Sequence, residues 1–135
     1  MHFYQVKIIK RLSEHKFLLL AILWTVAITV ASLVSMSSLP RVKIVGNDKI
    51  IHFVFYFVFV ILWGLANKKS YFKIKNDWSI VLFAIVYGII IEVLQGVLTK
   101  TRQADIYDAL ANSSGAVVGF VSLYCMKNKI FNKFF

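Results

Sequence analysis

Apolar residues fall in four long blocks, separated by short segments where Lys, Arg, Asp and Asn collect. The block 17–36 runs for 20 residues without a charge. As a helix it is about 30 Å long, enough to cross a bilayer. The second block, 50–66, has 17 residues and is dense in aromatics, with Trp63 suited to the interfacial belt. The third, 78–98, starts at Trp78, a second interface anchor. The fourth, 109–126, is the least apolar because it carries Asn112, Ser113 and Ser114. The pattern predicts an all-α integral membrane four-helix bundle spanning 17–126. A basic segment, 1–16, precedes it and a basic tail, 127–135, follows. Segment 1–36 also has the outline of a signal peptide, with small residues near Ser35 and Ser38. Its apolar run exceeds the roughly 7–15 residues of such a segment, so it is read as a retained span.

Polar positions inside these blocks are spaced, not scattered. Gly88, Glu92, Gln95 and Thr99 recur at i, i+4, i+7 and i+11, one face of a helix. Asp108, Asn112, Gly115 and Gly119 repeat the same spacing in the fourth block. Gly115 and Gly119 form a small-xxx-small pair, which lets membrane helices meet backbone to backbone. The expectation is that this face packs against the Glu92 face. Glu92 itself sits in an apolar run, where a charge costs roughly 2.5–3.5 kcal/mol on insertion scales, so it calls for a partner.

Charge adds the orientation. The chain has 16 Lys and Arg against 6 Asp and Glu, net +10, and a mean hydropathy of +0.73. The basic residues lie between the apolar blocks and form no stripe on a soluble face, which argues against nucleic acid as a partner. The N-terminal segment, second loop and tail hold four, four and three of them; the first and third loops hold three and two. The positive-inside rule then predicts both termini in the cytoplasm, N-in and C-in. The lone Cys125 excludes an intrachain disulfide and any CxxC site.

With that topology, three spans deliver polar groups to one outer level. Asp48, Lys49, His52 and Tyr56 enter the second span, with Asp48 and Lys49 closing the loop before it. Glu92 and Gln95 approach the outer end of the third. Arg102, Asp105, Asp108 and Asn112 belong to the outer loop and the start of the fourth. Helical rise puts His52, Glu92 and Asn112 within about 5–12 Å of the outer boundary. These ten residues are the candidate pocket. Arg suits bidentate recognition of phosphate or carboxylate. The carboxylates could hold a divalent metal or act as acid and base, and His52 could transfer a proton. Each residue also has an architectural reading, since membrane helices are held together by such bonds. No P-loop, GxSxG, HExxH or EF-hand pattern names a reaction.

DKIIHFVFY (48–56), EVLQ (92–95) and RQADIYDALANSSG (102–115), in that order and spacing, resemble the VanZ-like family of small bacterial membrane proteins, related to a teicoplanin resistance protein. The likeness covers residues 48–119. It implies a multi-pass protein of the bacterial cytoplasmic membrane, acting in the cell envelope, and it implies no reaction. The leading expectation is a pocket that binds an anionic lipid or cell-wall headgroup, such as that of a lipid-linked wall precursor, and lowers susceptibility to lipophilic glycopeptides. The alternatives are an intramembrane enzyme acting on a phosphorylated lipid and a small proton- or ion-coupled transporter. The nearly all-apolar inner halves of the spans speak against the transporter.

Overall fold

A computed structural model describes residues 15–34, 47–67, 78–99 and 103–134. Arg102 lies outside them, as do most of the loop lysines and arginines. The described residues form four helices and no strand: α1 (Lys16–Leu33), α2 (Asn47–Ala66), α3 (Ser79–Leu98) and α4 (Ile106–Phe134). All four are long and apolar enough to cross a membrane, and the chain is a multi-pass membrane protein.

Helix ends differ from the sequence pattern where polar residues act as caps. Asp48 and Lys49 are helical, in the first turn of α2, not in the loop before it. An acidic residue in the first turn complements the helix dipole, and the Asp48 carboxylate accepts from the Lys49 N–H at 3.0 Å. α4 starts at Ile106 because Asp105 caps it. The Asp105 carboxylate accepts from the Tyr107 N–H at 2.8 Å, and its carbonyl accepts from Asp108 and Ala109. At its other end α4 continues through the basic tail to Phe134.

Each helix buries one stripe and turns the rest outward. α1 buries Ala21, Ile28 and Ser32. α2 buries His52, Tyr56, Phe59 and Val60. α3 buries Ala84, Gly88, Ile91, Glu92 and Gln95. α4 buries Asn112, Gly115, Ala116, Gly119 and Leu123. Leucines, isoleucines and valines such as Leu23, Leu82, Val93 and Val97 stay exposed, the composition expected of lipid-facing surface. Lipid tails are as apolar as these side chains, so close packing and interhelical hydrogen bonds hold the bundle.

The closest helix contact joins α2 and α4. A Cβ on Gly115 would run into the Phe53 carbonyl, and one on Gly119 would lie 2.8 Å from the Phe57 carbonyl oxygen. The glycine pair therefore packs on α2, not on the Glu92 helix as its spacing had suggested. α4 sits in the groove between α2 and α3. Its glycines meet the α2 backbone while Asn112, on the adjoining side, meets α3 at Gly88. Phe53 and Phe57 stack on each other, 6.4 Å between rings, which leaves their main chain as the contact surface.

α1 is held by side-chain hydrogen bonds. The Trp24 indole donates to the Phe55 carbonyl at 3.0 Å. The Trp63 indole donates to Thr25 Oγ1 at 3.1 Å, which ties the end of α2 to α1. Thr29 Oγ1 and Tyr87 Oη are 2.6 Å apart, and Tyr87 also donates to the Thr25 carbonyl.

Candidate functional site

The N-terminal ends of α2 and α4 and the C-terminal ends of α1 and α3 meet at one end of the bundle. Antiparallel neighbours make this inevitable, and it is why polar residues far apart in sequence share a level. His52, Glu92 and Asn112 are all buried there, with Glu92 4% and Asn112 1% exposed.

His52 is the hub. Its Nδ1 lies 3.0 Å from Asn112 Oδ1 and 3.6 Å from Glu92 Oε1. Its Nε2 lies 3.6 Å from Asp108 Oδ2. A proton on Nδ1 donates to Asn112 and turns the Nε2 lone pair toward Asp108; an imidazolium donates on both sides. Asn112 Nδ2 closes the triangle by donating to Glu92 Oε1 at 3.5 Å. The other carboxylate oxygen, Glu92 Oε2, is buried and has no hydrogen-bond partner among the described residues.

Above this layer is an ion-pair rim. The half-exposed Lys49 ammonium lies 3.0 Å from Asp105 Oδ2 and 3.0 Å from Asp108 Oδ1, with Asp48 at 3.6 Å. One cation thus faces three carboxylates, and the described rim is acidic. The Tyr107 N–H first, then the Lys49 ammonium, hold the Asp105 carboxyl below the usual carboxylate range. Asp108 links the two layers, giving one oxygen to Lys49 and the other to His52.

One residue read with this pocket faces elsewhere. Gln95 donates to the Ser32 carbonyl at 2.8 Å. That carbonyl belongs to the last turn of α1, where it has no partner within the helix, so Gln95 caps α1. Tyr56 is buried one turn below His52, at the floor of the site. It packs against Gly88, which Asn112 also meets, and beside the Tyr87 ring at 6.1 Å, with no hydrogen-bond partner for its hydroxyl among the described residues.

The hydroxyls of Thr25, Thr29 and Tyr87 went unnoticed in the sequence. They form a second polar layer below the first. Thr25 and Thr29 share one apolar run and Tyr87 lies in another, and the pairing of Thr29 with Tyr87 spans 58 residues, so no local spacing announces it. Thr25 and Thr29 also bond the carbonyls one turn back, a habit of hydroxyls in membrane helices.

Chemically, the upper layer can hold a cation or move a proton. One imidazole stands between two carboxylates, on three different helices, shielded from water on the α3 side and open at the Asp108 rim. A family model described as VanZ/LLP1 matches residues 5–128 of the chain. No curated protein and no solved structure matches it.

Proposed function

Because the chain belongs to the VanZ/LLP1 family, we propose that it works in the bacterial cytoplasmic membrane as a receptor for a polar headgroup. The headgroup is that of an anionic lipid or a lipid-linked cell-wall precursor, and its capture lowers susceptibility to lipophilic glycopeptides such as teicoplanin. One observation carries the reading. Three helices converge to bury His52, Glu92 and Asn112 at a single level, under a rim of Lys49, Asp105 and Asp108. A purely architectural contact would not need so many ionisable groups, each costly in lipid. The flanking faces of α3 and α4, with Val93, Val97, Leu110 and Val117 exposed, offer apolar surface for acyl tails beside the rim.

In this reading the rim faces outward, because 11 of the 16 basic residues lie on the side of the two termini. Lys49 meets the headgroup by exchanging one of its carboxylate partners for phosphate, and Arg102 supplies the second cation from the loop. Native mass spectrometry of the purified protein tests this. Wild type should retain a phosphorylated lipid, and Lys49→Ala with Arg102→Gln should lose it. Wild-type protein that carries no lipid, together with unchanged glycopeptide susceptibility on deletion, would remove the reading.

A second reading, an enzyme acting on a phosphorylated lipid, is favoured by the placement of His52. An imidazole with a carboxylate at each nitrogen, 3.6 Å away on both sides, is arranged to pass a proton. Turnover of a short-chain lipid phosphate by purified protein, lost in His52→Gln, would select it over simple binding.

A further inference from the structure

We infer that His52, Glu92 and Asp108 form a binding site for one divalent transition-metal ion of the zinc or manganese class. The inference goes beyond headgroup capture and stands without it.

Geometry comes first. One ligand atom from each residue can be chosen so that all lie within 4.8 Å of one another. The His52 ring presents a nitrogen to each carboxylate at 3.6 Å. A tetrahedral zinc with bonds of about 2.0–2.1 Å spaces its ligands roughly 3.4 Å apart. One ion takes one ring nitrogen, so only one of the two ring–carboxylate separations is a ligand spacing. That one is already close to this value, and the wider ones, within 4.8 Å, close by side-chain rotation of Asp108. Its carboxylate is the most exposed of the three.

An independent observation is the shortage of hydrogen-bond donors. Glu92 Oε2 is buried without a hydrogen-bond partner. The donors around the carboxylate head are the Asp105 backbone N–H, one amide N–H of Asn112 and, at longer range, the His52 ring. Lys49 is engaged with Asp105 and with Asp108 Oδ1. That leaves Asp108 Oδ2 with only the ring at 3.6 Å, and a buried Glu92 carboxylate with one oxygen lacking a hydrogen bond among the described residues. A buried acceptor left unmet is costly, and a cation satisfies both at once.

The supports are rigid. The three ligands stand on three helices, and the α2–α4 pair is locked by the glycine contacts. Asn112, 3.0 Å from His52 Nδ1, fixes the ring orientation as an outer partner does in metal sites. The donor set gives the class of ion. An imidazole with two carboxylates suits zinc or manganese, whereas calcium and magnesium seek oxygen alone. A ring nitrogen must be free of its proton to bind, so affinity rises with pH.

The test uses the full chain, purified in detergent and stripped with a chelator. It is titrated with zinc chloride and, separately, manganese chloride. Bound metal is counted by mass spectrometry after desalting, and the Tm is read alongside. The expected result is saturable binding of one ion per chain with a rise in Tm. His52→Gln, Glu92→Gln and Asp108→Asn should each weaken binding at least tenfold, while Thr29→Val, in the lower layer, should bind like wild type. Binding that never saturates, that stays well below one ion per chain, or that is unaffected by the three substitutions overturns the inference. Should a variant fail to fold, the X-ray absorption spectrum of zinc-loaded wild type decides. One imidazole with oxygen ligands is expected, and any other set overturns it. Lipid is scored on the same samples. Metal without lipid, with glycopeptide susceptibility unchanged on deletion, removes the headgroup reading and keeps this site; lipid without metal overturns this site and keeps that reading.

Discussion

Gly115 lies so close beneath the carbonyl oxygen of Phe53 that no Cβ fits between them. The obstacle is main chain, so it cannot swing aside. Gly115→Ala should push α4 off α2 and cost about 1–3 kcal/mol, the usual range for overpacking. Gly64→Ala is the contrast. There a Cβ meets only the tip of the Leu123 side chain, which can change rotamer. Val118→Leu, on an exposed face, should be neutral. Unfolding measured in detergent should rank the three in that order, and equal effects at Gly115 and Val118 would dismiss the backbone contact.

Glu92→Gln separates working group from cement. The amide keeps the size of the side chain and adds two donors where the carboxylate lacks partners, so the fold should survive with a Tm within a few degrees of wild type. Envelope function should nonetheless be lost, and Asp108→Asn should fail in the same manner, since groups acting as a unit are not additive. Glycopeptide susceptibility, measured with protein level, is the readout. A stable Glu92→Gln variant with full function would return Glu92 to architecture.

Asp105 should make the bundle acid-sensitive in a defined direction. Its carboxyl titrates below its ordinary value of 3.8 in the folded chain, because the Tyr107 N–H and Lys49 favour the charged form. A depressed pKa stabilises the fold above the unfolded value and loses that contribution as pH falls through the folded one. Wild type should therefore melt above Asp105→Asn at pH 6, with the gap closing below about pH 4. A gap that stays constant with pH would show that the cap, not the charge, is what matters.

Orientation is open to direct labelling. In a Cys125→Ser background, a cysteine at Ser38 should react with a membrane-impermeant thiol reagent in intact cells, and one at Asn67 should not. The opposite pattern would put the polar rim in the cytoplasm and overturn the assignment made from Lys and Arg.

The spacing of polar residues was legible where it marked a buried stripe. Gly88, Glu92, Gln95 and Thr99 share a face in the sequence and are all buried in the structure. What the spacing lacked was the identity of the neighbour. Gln95 is rotated about 60° from Glu92 around the helix, enough to face α1 in place of α2 and α4. The Gly115–Gly119 pair signalled a close approach without saying to which helix, because small residues fit any backbone. Asp105 read as a pocket acid, and besides its rim contact to Lys49 it makes a shorter local bond to Tyr107, which sequence shows only as a helix start. The Thr29–Tyr87 pairing depends wholly on how helices are arranged, and nothing along the chain marks it.

The way α1 makes its bonds bears on how the protein is assembled. At roughly 5–20 residues per second, the 63 residues from Ser32 to its partner Gln95 take about 3–13 s to synthesise. During that interval the first span stands in the lipid without α3. Its hydroxyls do not wait unmet: Thr25 donates to the Ala21 carbonyl and Thr29 to the Thr25 carbonyl, both within the helix. Trp24 finds its acceptor on Phe55, in the next span to emerge. The Ser32 carbonyl, whose partner Gln95 lies on α3, sits in the terminal turn of α1. α1 is thus equipped to enter the membrane early and alone, keeping its own bonds and adding those to the later helices as they arrive.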